Sequence, residues 1–200
     1  TEFMASDQVE VLDVFDVDEQ NYTKGDATAV DKEDLSYDFV CSFDVLEHIP
    51  WNKREKFIKE SARLSKTGFF IAAPMNDKNN LVSLAEQEAN EIFKTINHKD
   101  HEWLVEHIEY GIPTNKEIEN IFKKNNLYFT SVKSNEITKW FSIQSAFFIK
   151  SALSNPDNFL HGRYLSDFYE LHRIIDETYN NNFLSMEGQQ TGLSYRTIYF

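Results

Sequence analysis

Residues 37–50 read YDFVCSFDVLEHIP, an apolar run that passes into an acidic loop and then into a helix start at Pro50. Tyr37, Phe39, Val40 and Cys41 carry the aromatic and β-branched content of a strand. In an open α/β sheet, ligands occupy the crevice beyond the carboxyl ends of the strands. Ser42, Phe43 and Asp44 close this strand, so they are expected at the floor of an active site.

The flanking segments extend the pattern. Residues 9–14 (VEVLDV) form a short apolar strand ending among Asp13, Asp16 and Asp18. A carboxylate at such a strand tip can accept both hydroxyls of a ribose. One of these aspartates is the candidate; the competing reading is that one of them simply caps a turn. Too few residues separate this strand from residues 22–25 for a full crossover, which takes a dozen or more. The next strand is therefore expected to be short. Residues 51–65 place Phe57, Ile58, Ser61, Ala62 and Leu64 on one helical face, with Gly68 as the stop. Residues 68–74 (GFFIAAP) then read as a buried strand that Pro74 ends.

Composition narrows the function. The 200 residues, 41% of them hydrophobic, can bury one sizeable core, and a single domain spanning residues 1–200 is expected. A formal net charge of -13 disfavours nucleic acid and anionic lipid as partners. The single Cys41 allows no disulfide framework and is expected as a small buried hydrophobe. No apolar run approaches the ~20 residues of a membrane span, and no leader pattern opens the chain. A cytoplasmic protein is the expectation.

The second half reads as helices with two further strands. A stripe of Leu81, Leu84, Ala85, Ala89, Ile92, Phe93 and Ile96 predicts a helix. Thr114 and Glu117 form a capping box that opens another, closed by Asn125 and Asn126. Residues 127–133 are expected as a strand, residues 140–152 and 165–179 as helices, and residues 194–200 (SYRTIYF) as the last strand. Residues 98–113 carry His98, His101, Glu102, Glu106 and His107. His101 and His107 are six apart and do not share a helix face as residues four apart do, so no metal centre is expected from them. The stretches 75–113 and 134–193 leave strand ends on the ligand side and are expected as helical insertions that wall an acceptor pocket. His101, Trp103, His107 and Trp140 are its candidate lining, together with Tyr110, Phe141, Tyr164 and Tyr169; the alternative is the core of a helical insertion.

Taken in order, VEVLD (9–13), GDAT (25–28), DVLEHIP (44–50) and FFIAAP (69–74) resemble a class I S-adenosylmethionine-dependent methyltransferase of the small-molecule or sugar type. The resemblance implies a Rossmann-like α/β fold, mostly parallel with an antiparallel last strand and helices on both faces. It further implies S-adenosyl-L-methionine as cofactor. Asp13 would then hold the ribose, Asp26 and the Ala27 N–H the adenine edge, and Ser42 and Phe43 the methionyl part through backbone groups. Asp44 would hold the amino group or orient the loop. The family's glycine-rich first turn has no counterpart before Val9, so the chain as given is expected to start inside the domain and to bind the cofactor weakly by itself.

The sulfonium makes the methyl group electrophilic, so the protein mainly aligns the acceptor. An acceptor hydroxyl still needs a base, and His48 is the candidate catalytic residue, with His101 and His107 as alternatives from the insertion; the competing reading of His48 is a helix-start histidine bonded to backbone. Glu47 reads as structural, bonding N–H groups in the first helical turn. The lead expectation is methyl transfer to a small molecule or glycan, in a possible homodimer. A second is a non-catalytic methyltransferase-like binding or assembly module. A third, a metal-dependent hydrolase using His98, His101, Glu102 and His107, lacks a suitable ligand spacing.

Overall fold

The computed structural model describes residues 8–18, 21–158 and 194–200. The expected helix over residues 165–179, with Tyr164 and Tyr169, lies outside them. The strands are β1 (Val11–Asp13), β2 (Tyr22–Lys24), β3 (Tyr37–Phe43), β4 (Ser65–Pro74), β5 (Ser131–Glu136) and β6 (Ser194–Tyr199). The helices are α1 (Arg54–Leu64), α2 (Leu81–Asn97), α3 (Glu102–Tyr110), α4 (Asn115–Lys124) and α5 (Ile137–Ser154). This is an α/β fold with a mixed sheet. β1 and β2 pair in parallel, Val11 opposite Tyr22. The other strands follow the order β3-β4-β6-β5, and β6 runs antiparallel to both neighbours, as expected of the last strand.

The chain divides into two compact units. The first comprises residues 1–40 and 52–69. Here β2 is only three residues long, as the short connection requires. The polar link over residues 31–36 is pinned to α1 by Arg63, whose guanidinium donates to the Val30 and Lys32 carbonyls and to Asp34 and Glu60. The Leu35 N–H returns a bond to the Arg63 carbonyl. Glu60 also accepts from the Val30 N–H at 2.8 Å, so one ion pair fastens both ends of the link.

The second unit comprises residues 41–51 and 70–200. Ile71, Ala72 and Ala73 at the end of β4 and Ile198 and Tyr199 of β6 are buried. Phe122 of α4 stacks on Tyr199 at 5.4 Å. The Thr114 capping box forms as the sequence predicts, its side chain accepting from the Glu117 N–H. On the other side, Ala89, Leu104 and Phe148 join α2, α3 and α5.

Several expectations are corrected. Helix α1 ends at Leu64 and β4 begins at once with Ser65, so Gly68 lies inside the strand. β5 runs from Ser131 to Glu136 rather than over 127–133, because its extent follows its pairing with β6, Ser131 opposite Tyr199 and Glu136 opposite Ser194. Among the described residues β3 is an edge strand; Ser42 points inward, whereas Phe39, Cys41 and Phe43 are exposed. Cys41 therefore is not a core residue. The buried face of α2 is Val82, Glu86, Ala89 and Asn90, rotated from the apolar stripe, and Leu84 is exposed. Two inward polar side chains set that rotation, and both have partners.

Candidate active site

β3 ends at Phe43, and Asp44 adopts a left-handed conformation, φ 49°, while its N–H bonds the Ala72 carbonyl of β4 at 2.9 Å. Aspartate tolerates this region better than most residues. The turn redirects the chain into a short 3₁₀ turn, Leu46–His48, so that Glu47 goes inside and His48 lies at its end, half-buried. Arg196 of β6 fixes the loop by donating Nε and Nη2 to Asp44, with Nη2 2.6 Å from Oδ1 and 2.5 Å from Oδ2.

Helix α3 brings the second imidazole. His48 Nε2 and His107 Nε2 stand 3.1 Å apart, with ring centroids at 4.4 Å. Each ring has a carboxylate on its other nitrogen: Glu106 lies 2.7 Å from His48 Nδ1, and Glu86 of α2 lies 2.9 Å from His107 Nδ1. The Tyr195 hydroxyl donates to the other Glu86 oxygen at 2.7 Å, and Trp140 stacks on Tyr195 with centroids 4.1 Å apart. One polar chain thus runs from Glu106 through His48, His107 and Glu86 to Tyr195, with Trp140 as its apolar cover.

Electrostatics follow from burial. Desolvation holds the His48 pKa below its ordinary value, with His107 adding to the effect and Glu106 opposing it. Glu47 is 1% exposed, and its pKa is raised well above the ordinary carboxyl value, first by desolvation and then by the charge of Asp44. Its Oε2 has no hydrogen-bond partner. Burial likewise pushes the Tyr195 hydroxyl up.

The other expected acceptor residues separate from this chain. His101 is the N-cap of α3, packed edge-on against Phe93 at 4.8 Å and near Trp103 at 5.7 Å. They line an open cavity of about 260 Å³ with Lys99, Asp100 and Glu102. The structure therefore joins His107 and Trp140 to His48 and leaves His101 and Trp103 in a second cluster.

The expected cofactor residues are distributed over both units. Asp13 is exposed at the end of β1, and its Oδ1 accepts from the Val14 N–H at 2.6 Å, leaving Oδ2 for another donor. Asp26 closes a turn, accepting from the Thr28 N–H at 2.8 Å, which lowers its pKa; Ala27 is half-buried. In the second unit the Ser42 Oγ is buried without a partner, a polar atom that suits a ligand at the strand end. The Asp44 carboxylate is committed to Arg196.

Sequence reasoning missed Glu86, Tyr195 and Arg196, and it read Glu47 as structural. Glu86 is concealed as one polar position in an otherwise ordinary amphipathic helix, and Tyr195 and Arg196 enter from the far end of the chain. A strand of six residues with only one charge, Arg196, was the available signal.

Residues 5–72, about a third of the chain, match the model of the family described as methyltransferase domain. The match agrees with the resemblance read from the N-terminal part of the sequence and covers only that part. No curated protein matches the chain. Among solved structures, the YcgJ protein of Bacillus subtilis is 16% identical, with 68% of this chain and 57% of that one covered and a TM-score of 0.43. A putative sarcosine dimethylglycine methyltransferase from Galdieria sulphuraria is 17% identical, with 89% and 58% covered and a TM-score of 0.42. A putative methyltransferase from Bacillus halodurans is 12% identical, with 89% and 68% covered and a TM-score of 0.39. The chain thus spans less than two thirds of the first two. No helix among the described residues is long and apolar enough to cross a membrane.

Proposed function

We propose that this chain is an S-adenosylmethionine-dependent methyltransferase that acts on a hydroxyl of a small molecule or sugar, in the cytoplasm. The observation that carries the chemistry is the His48–His107 contact of 3.1 Å directly after the β3 turn. Two neutral imidazole Nε2 atoms at that distance can share one proton once it has been taken up. With Glu106 and Glu86 accepting from the Nδ1 atoms, the pair is oriented to take up a proton from an acceptor and to return it to water. His48 is the catalytic residue in this reading, and His107 positions it.

When bound, S-adenosylmethionine supplies an electrophilic methyl group on a sulfonium. Asp13 would bond the ribose hydroxyls, Asp26 and the Ala27 N–H the adenine edge, and Ser42 and Phe43 the methionyl part. Asp44, held by Arg196, orients the loop. Residues 75–113 and helix α5 are read as insertions of one methyltransferase-like domain on the acceptor side, and Trp140 excludes water behind the histidine pair. Transfer of labelled methyl from the cofactor to a panel of sugars, glycans and small phenols tests the proposal. Labelled product with the full-length protein and at least tenfold less with its His48→Gln variant is expected; no product from any acceptor class, despite cofactor binding, would remove it.

A second reading is a non-catalytic binding module, favoured by the engagement of both His48 nitrogens inside the protein. Binding of an acceptor without turnover distinguishes it.

A further inference from the structure

We propose that Glu47, His48 and His107 form a binding site for a divalent transition ion, zinc by the nature of its ligands. The three side chains offer ligand atoms within 4.8 Å of one another. Zinc takes imidazole nitrogen at about 2.0–2.1 Å, so two histidine ligands of one tetrahedral ion lie about 3.3 Å apart. The His48 and His107 Nε2 atoms are separated by 3.1 Å. That spacing matches a pair of ligands on one ion as well as it matches a shared proton.

The surroundings favour the ion. A metal-bound histidine usually donates its second N–H to a carboxylate, which fixes the tautomer and aims the other lone pair at the metal. Both rings have this arrangement, His48 with Glu106 at 2.7 Å and His107 with Glu86 at 2.9 Å. With both Nδ1 atoms donating, both Nε2 atoms are left for a shared proton or an ion. Glu86 is itself steadied by the Tyr195 hydroxyl at 2.7 Å.

Glu47 is the independent observation. It is 1% exposed and its Oε2 has no partner, although an unmatched buried carboxyl oxygen is costly. The Glu47 ligand atom lies within 4.8 Å of the histidine nitrogens, against roughly 3.3 Å between two ligands of one tetrahedral zinc, so a side-chain shift of about 1–2 Å would complete the set. Two imidazoles and one carboxylate are a donor set that zinc accepts while keeping a further position for water or an acceptor oxygen. Binding replaces the proton between the rings by the ion, with no change of oxidation state. The acidity of an oxygen on that open position would rise, which does the work assigned above to the imidazole pair alone. The site itself stands independently of methyl transfer.

Titration of the chelator-treated full chain with cobalt(II), followed by visible absorption and by competition with zinc, tests the site. The expected result is a low-coordinate cobalt spectrum, displacement by one equivalent of zinc, and a rise in Tm with zinc. His48→Gln should weaken binding at least 100-fold and Glu47→Gln at least tenfold. Glu106→Gln, at a partly exposed position, should weaken it about 10- to 100-fold while the circular dichroism spectrum is unchanged. Absence of cobalt absorption in the folded parent chain, or equal affinity in folded His48→Gln, would overturn the proposal, the latter by placing the ion elsewhere on the acidic surface. Neither outcome depends on a methyl acceptor.

Discussion

The carboxylate of Asp44 and the guanidinium of Arg196, 152 positions apart in sequence, meet in a forked ion pair with Nη2···Oδ2 at 2.5 Å. Arg196 is 4% exposed, whereas the Asp44 side chain is 36% exposed. The pair ties the turn after β3 to β6, an inner strand of its four-stranded sheet. Removing the acid leaves a buried charge without its main counterion, which costs about 3–5 kcal/mol for a fully buried pair. Because Asp44 is partly open to solvent, Asp44→Asn is expected to lose about 2–3 kcal/mol in denaturant unfolding. The exposed pair Lys66 and Asp38 is the control, and Lys66→Ala should change stability by less than about 0.5 kcal/mol.

Tyr195 holds Glu86, and Glu86 holds His107. Tyr195→Phe keeps the stack on Trp140 but deletes the hydroxyl that donates to the buried carboxylate. Hydrogen bonds to charged groups contribute about 1.5–3 kcal/mol, and a loss in that range is expected in thermal or urea melts. The His107 ring should also become more mobile, seen as broadening of its imidazole resonances relative to those of His98.

The acid limb of stability is expected to depend on Glu60. Its hydrogen bonds from Arg63 foremost, with that from the Val30 N–H, lower its pKa from the ordinary 4.5, against an opposing contribution from burial. A carboxyl depressed in the folded chain stabilises it fully above the unfolded value. That contribution is lost as pH falls from about 4.5 through the folded pKa. Glu60→Gln should therefore lower Tm by a few degrees at pH 7 and by much less at pH 3, with the two melting curves converging on acidification.

Asp13 and Asp16 separate the ribose assignment. In the full-length protein Asp13→Ala should weaken S-adenosylmethionine binding about tenfold by calorimetry, as expected for lost bonds to two hydroxyls, and Asp16→Ala should leave it unchanged. Equal affinities of parent and Asp13→Ala would take Asp13 out of the site.

Local chemistry made much of this molecule readable in one dimension. The alternation of SYRTIYF, the Thr114 capping box, and the run of DVLEHIP after an apolar strand each depend on neighbours within a few residues, and each corresponds to an observed element. The short β2 followed from a connection with no room for a helix. The edge position of β3 and the exposure of Cys41 did not, because a strand's neighbours come from distant parts of the chain. The inward turn of Glu86 was hidden for the same reason: its partners, His107 and Tyr195, are 21 and 109 residues away. Spacing within residues 98–113 argued against a histidine pair, since His101 and His107 fall on different helix faces. Folding supplied the pair by another route, placing His48 from the β3 turn against His107 from α3. Periodicity reports which face of an element is apolar; where polar side chains are buried together is settled only by which elements pack, and that is where this candidate site resides.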